Sequence, residues 1–100
     1  MKRSQIIVVE NKEVCFQLEY YLLKSGKESC GIELVKKKDG EILETKTVFL
    51  DGRDADDVYR WMTRLAEAFV TPAVLEEMLR EVMLQDFVTG GPFRTFPLFS

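Results

Sequence analysis

Asp51, Asp54, Asp56 and Asp57 crowd together, and oxygen ligands at that density can hold a hard cation such as Ca²⁺ or Mg²⁺. Their spacing departs from an EF-hand loop, and Gly52 and Arg53 stand among them. The cluster reads as a turn followed by a helix cap and acidic first-turn residues, which the helix dipole favours. Glu76, Glu77 and Glu81 beside Arg80 are paired carboxylates of the kind that serve in acid–base catalysis. That chemistry needs a cleft and a raised pKa, whereas their spacing belongs to a solvated helix face. Cys15 and Cys30 match no zinc or redox spacing and read as reduced, buried thiols. The sequence has no histidine, which removes Ser/His/Asp and Cys/His catalysis, histidine metal sites and the usual pH switch. No catalytic residue, cofactor or metal is expected, and the balance lies against an enzyme.

Lys36, Lys37 and Lys38, with Lys24 and Lys27, concentrate positive charge near Tyr20 and Tyr21, a mixture suited to single-stranded nucleic acid. The chain as a whole carries a net charge of −3, which disfavours nucleic acid as a partner. Lysines beside a hairpin tip more simply solubilise it and guard strand ends against edge pairing. Ser25-Gly26-Lys27 lacks the GxxxxGK[ST] frame and the strand-to-helix setting of a phosphate loop, and reads as a turn.

The elements that must position these residues follow from periodicity. Four runs rich in Val, Ile, Phe, Tyr and Thr, separated by Asn11-Lys12, Ser25-Gly26-Lys27 and Asp39-Gly40, predict a meander of antiparallel hairpins. Asp39-Gly40 suits a type I′ turn, whose two central residues both need positive φ. Counting outward sets Leu34 opposite Thr45, Ile32 opposite Thr47 and Cys30 opposite Phe49, with Glu33 opposite Lys46 on the other face. A two-residue loop at Asn11-Lys12 sets Val9 opposite Val14 and Ile7 opposite Phe16. An odd loop centred on Gly26 sets Leu22 opposite Cys30, Tyr20 opposite Ile32 and Leu18 opposite Leu34, so one apolar face runs across all four strands. The predicted core face is Ile7, Val9, Val14, Phe16, Leu18, Tyr20, Leu22, Cys30, Ile32, Leu34, Leu43 and Phe49. The opposite face carries Gln17, Glu19, Glu33, Glu44 and Lys46. It also carries Ile6, Val8, Tyr21, Leu23, Val35, Ile42, Val48 and Leu50, more apolar surface than contact with water explains.

From Asp54 the period turns helical, with Val58, Trp61, Met62, Leu65, Ala66 and Phe69 on one stripe and Asp54 as the cap. A second helix opens at Thr71-Pro72, threonine capping and proline at the first helical position, and runs through Leu75, Met78, Leu79, Val82 and Met83 to Gly90-Gly91. The fold class is α+β: a four-stranded antiparallel meander with one face covered by two C-terminal helices. Residues 1–89 form the domain, and residues 90–100 an extended tail carrying Phe93, Phe96, Leu98 and Phe99, in which two prolines forbid a helix.

Composition fits this architecture. The chain has 100 residues, 46% hydrophobic and 31% charged, enough for one domain with its own core. Residues 1–38 hold eight Lys/Arg against five Glu, while residues 39–89 hold twelve Asp/Glu against five Lys/Arg, as for a sheet packed on acidic helices. No apolar run approaches the ~20 residues of a membrane helix, and Met1-Lys2-Arg3 is not followed by a signal core. The expectation is a full-length, cytoplasmic chain.

Cys30-Gly31-Ile32-Glu33-Leu34, then Asp39-Gly40, then Val70-Thr71-Pro72-Ala73-Val74-Leu75-Glu76-Glu77, in this order, resemble a family of short bacterial proteins from Firmicutes described only as a domain of unknown function. The likeness spans residues 13–85, with Cys30 where that family often has tyrosine and with an aromatic tail beyond its pattern. It implies a bacterial cytoplasmic protein and supplies no reaction, ligand or catalytic residue.

The function expected from the residues is a non-enzymatic protein-interaction or regulatory module, self-associating as a homodimer or binding a protein partner. Its contacts are Tyr21, Val35 and Val48 on the second sheet face and Phe93, Phe96, Leu98 and Phe99 in the tail. The alternative is a small-molecule binding protein or enzyme with Tyr20, Cys30 and Trp61 lining a pocket between sheet and helices. A third reading is nucleic-acid binding through the lysine-rich hairpin.

Overall fold

The computed structural model describes residues 2–11, 13–26 and 29–88, and the tail residues Phe93, Phe96, Leu98 and Phe99 lie outside them. Strands β1 (Lys2–Glu10), β2 (Gln17–Ser25), β3 (Ser29–Lys38) and β4 (Glu41–Phe49) form one antiparallel sheet in the order β1-β2-β3-β4. Helices α1 (Ala55–Glu67) and α2 (Leu75–Val88) follow, with a 3₁₀ turn, Pro72–Val74, leading into α2. The α+β architecture predicted above is therefore present.

The core lies between one sheet face and the helices. Leu18, Tyr20, Leu22, Cys30, Ile32 and Leu34 from β2 and β3 pack with Val58, Trp61, Met62, Leu65 and Ala66 from α1 and Leu75, Leu79 and Val82 from α2. Asp54 caps α1 as expected, its carboxylate accepting from the Asp56 N–H at 2.8 Å. At the other end the Phe69 N–H donates to Ala66 O and the Val70 N–H to Leu65 O, both at 3.0 Å, the paired bonds of a Schellman closure. That closure holds Phe69 at φ +53°, a left-handed conformation costly for a bulky residue, and its ring stacks on Phe16 at 5.5 Å. Thr71 precedes the 3₁₀ turn but makes no side-chain cap, so Pro72 alone marks this start.

Registers differ from the sequence reading in instructive ways. The β1–β2 connection spans residues 11–16, so Val9 faces Leu18 and Ile7 faces Tyr20. Val14 is thereby displaced into the turn, its N–H bonded to Asn11 O, and Cys15 is exposed rather than buried. Between β2 and β3 the loop is odd, as expected, but spans residues 26–28 and sets Leu22 opposite Ile32 and Tyr20 opposite Leu34. Both slips move the partner by an even number of positions, so the inward face keeps its residues.

β4 does not survive that test. The Asp39-Gly40 turn forms with φ +52° and +82°, and Lys38 faces Glu41 as a type I′ turn requires. A bulge then adds one residue between Ile42 and Glu44, and every later side chain changes face. Leu43 and Phe49 are consequently exposed, whereas Val48, opposite Ile32, and Leu50 pack against the core. Glu33 faces Thr47 instead of Lys46, and Lys46 lies on the helix side with its ammonium 2.8 Å from Glu76.

Candidate functional site

The sheet face opposite the helices assembles the residues with the most unusual surroundings. Cross-strand partners give its rows: Ile6, Tyr21, Glu33 and Thr47; then Val8, Glu19, Val35 and Thr45; then Glu10, Gln17, Lys37 and Ile42; and Arg3, Leu23, Gly31 and Phe49. Leu23 and Val35 are buried although neither belongs to the core cluster under the helices. Gly31 is tightly required here, since a Cβ at that position would meet the Val48 carbonyl oxygen at 2.9 Å.

Glu19 occupies the centre, 6% exposed. The Tyr21 hydroxyl donates to its Oε1 at 2.6 Å, Gln17 Nε2 donates to Oε2 at 2.8 Å, and Lys37 Nζ lies 3.1 Å away. Burial by itself pushes this carboxyl up, but the hydrogen bonds from Tyr21, Lys37 and Gln17 together outweigh it and hold the group below its ordinary range. The bond to Glu19, followed by burial, raises the Tyr21 hydroxyl. Above the same ring Arg3 places its guanidinium 3.9 Å from the centroid and donates to Glu33 Oε1 at 2.8 Å. The alternation Gln17, Glu19, Tyr21 is what lines three of these groups along one strand face, and antiparallel register brings Arg3 and Lys37 to them.

The bond between Glu19 and Tyr21 favours a charged Glu19 carboxylate and a neutral Tyr21 hydroxyl, so the cluster satisfies its own charge within the face. Around it stand exposed apolar side chains: Ile6 and Val8 on β1, each 50% exposed, and Ile42 and Phe49 on β4, 61% and 62% exposed. The face thus sets a mutually bonded polar centre inside an exposed apolar margin.

The other candidate residues occupy different places. Tyr21 and Val35 belong to the open face, while the β4 bulge turns Val48 to the core side. Tyr20, Cys30 and Trp61 are buried in the core, each with a bonded polar atom. The Tyr20 hydroxyl donates to Val70 O at 2.6 Å, Cys30 Sγ lies 3.6 Å from Arg53 O, and Trp61 Nε1 donates to Asp86 at 3.0 Å. Burial raises the Tyr20 hydroxyl pKa. An open groove of about 390 Å³ lies between α1 and α2, lined by other residues, among them Arg64, Met78 and Val82. Of the hairpin lysines, Lys36 pairs with Glu44 at 3.5 Å and covers the Phe16 ring, and Lys37 is committed to Glu19. Among the described residues no group of acidic, cysteine or histidine side chains is arranged to hold a metal ion, and no helix is long and apolar enough to cross a membrane.

No family model matches the chain, and neither a curated protein nor a solved structure does.

Sequence reasoning placed Tyr21 and Val35 on this face but did not find the Glu19 cluster or the exposure of Phe49. The alternation from Gln17 to Tyr21 was a readable signal. The exposure of Phe49 depends on the bulge, and no residue type announces it.

Proposed function

We propose that this chain is a non-enzymatic protein-interaction module that self-associates or meets a protein partner through the open sheet face. The observation that carries this reading is the pairing of Phe49 and Ile42 on one margin with Ile6 and Val8 on the other, around polar groups that already satisfy one another. Because Glu19, Tyr21, Arg3 and Glu33 are bonded within the face, covering them leaves few polar groups without partners, which lowers the cost of contact. Phe93, Phe96, Leu98 and Phe99 supply further apolar anchors in the sequence beyond α2. Both cysteines are free thiols, Cys15 exposed and Cys30 buried, which suits a reducing compartment and a cytoplasmic setting.

Light scattering on a sizing column tests the reading with the full chain, a truncation ending at Thr89, and Phe49→Glu. The expected result is concentration-dependent association of the full chain that Phe49→Glu weakens. A full chain that stays monomeric, together with a tail packed on its own core, would refute self-association through this face.

A further inference from the structure

We propose that the chain's own segment beyond α2, Pro92 to Phe99, folds back along the groove between α1 and α2 and seats Phe96 in it. The apolar part of that groove is Ala68, just past the end of α1, with Met78 and Val82 on α2. Met78 is 36% exposed although Leu75 and Leu79 beside it are buried, so α2 carries apolar surface beyond what the core takes up.

The place where α2 ends selects the occupant. Near the start of α1, Arg60 pairs with Asp86 and Trp61 Nε1 donates to it, while Met78 shares the groove with Ala68, so the two helices run antiparallel. α2 stops at Val88. From there Val82 lies about 9 Å and Met78 about 15 Å back along the helix axis, at roughly 1.5 Å per residue. Gly90 and Gly91 can take the left-handed backbone that reverses a chain after a helix. With Pro92 level with the end of α2, an extended return at roughly 3.1 Å per residue brings Phe96 to about 12 Å, between Val82 and Met78. Pro92 and Pro97 favour that extended backbone, and Phe93, Phe96 and Phe99 recur at every third residue, the repeat of a polyproline helix, so the three rings share one side. The same prolines lack the N–H of a sheet ladder, which argues against addition of this segment to a free sheet edge.

Charge points the same way. Arg94 is the one charged side chain in residues 89–100. Glu67 and Glu81 border the groove, and neither makes an ion pair among the described residues. Arg64 borders it too, and its charge acts on Asp86. On the return path Arg94 stands about 6 Å from the end of α2 and Glu81 about 10 Å, within reach of an arginine side chain. The helices cover the sheet face away from Glu19, so a tail held here leaves association to the open face alone.

The test is NMR on the dilute full chain, reading nuclear Overhauser contacts between phenylalanine rings and methyl groups. The Phe96 ring is expected to contact the Met78 and Val82 methyls. Phe96→Ser is expected to remove those contacts and shift both methyl signals, with Ile32 and Leu34 unmoved as the check that the core is intact. An equal mixture of chains labelled only at the methyls and chains labelled only at phenylalanine is expected to show no such contact, because groove and tail belong to one chain. Phe96 contacts with Ile6, Val8 or Ile42 would place the tail on the open face, and contacts in the mixture would place it on a second copy. Either result, or the absence of any contact at Met78 and Val82, overturns the proposal.

Discussion

The two faces of the sheet solve the problem of polar groups differently. On the covered face the buried ones answer to backbone: the Tyr20 hydroxyl donates to Val70 O and Cys30 Sγ sits against Arg53 O, each tying the sheet to the chain around α1. On the open face they answer to one another: Tyr21, Gln17 and Lys37 converge on Glu19, and Arg3 joins Glu33 across the Tyr21 ring. The first pattern fixes a tertiary structure. The second fixes a surface without help from any helix, which is what a contact site requires before its partner arrives.

If that distinction holds, substitutions on the covered face cost stability, and substitutions on the open face cost association. The largest expected loss is Leu34→Ala, which empties part of a fully buried site and should destabilise by about 2–5 kcal/mol in denaturant unfolding. Gly31→Ala comes next and is the open-face exception, because the new methyl meets backbone rather than a movable side chain. A loss of about 1–3 kcal/mol is expected by the same measurement. Tyr20→Phe leaves the buried Val70 carbonyl without its donor, and thermal melts should show a loss of about 1–3 kcal/mol with association unchanged.

The open face gives smaller stability effects. Glu19 has a folded pKa depressed below its ordinary 4.5, so the stability it adds is fully present above that pH and is lost as the pH falls through the lower folded value. Glu19→Gln should therefore be less stable than the wild type near neutrality by about 1 kcal/mol, with the difference closing in acid unfolding titrations. A gap that persisted unchanged at low pH would mean that the carboxylate's charge is not what the cluster uses. Phe49→Glu should change stability by no more than about 0.5 kcal/mol while weakening self-association, the reverse of Tyr20→Phe.

Much of this division was legible in the sequence, and the part that was not has a definite cause. The alternation through Leu18, Tyr20, Leu22 and Cys30, Ile32, Leu34 identifies the inward face of β2 and β3, and an even slip in register leaves it unchanged. That robustness is why the face could be read while the partners were misassigned. In β4 the signal fails, since Val48, Phe49 and Leu50 are apolar at every position and report no parity. The bulge at Leu43 decides which of them turn inward, and nothing in Ile42-Leu43-Glu44 marks it. The Glu19 cluster was half legible: Gln17, Glu19 and Tyr21 lie in alternation on one strand, but Arg3 and Lys37 reach them only through a register that the turn residues left open. The long β1–β2 turn also escaped, because Val14 and Phe16 look like strand residues until the turn bonds at Asn11 are seen.

The most direct test follows the methyl signals of the full chain by NMR from dilute to concentrated solution. Contact through the open face should move the signals of Ile6, Val8 and Ile42 with concentration and leave Ile32 and Leu34, buried under the helices, in place. Signals that never move, or movement at Val74 and Leu84 on the outer helix surface instead, would contradict the account.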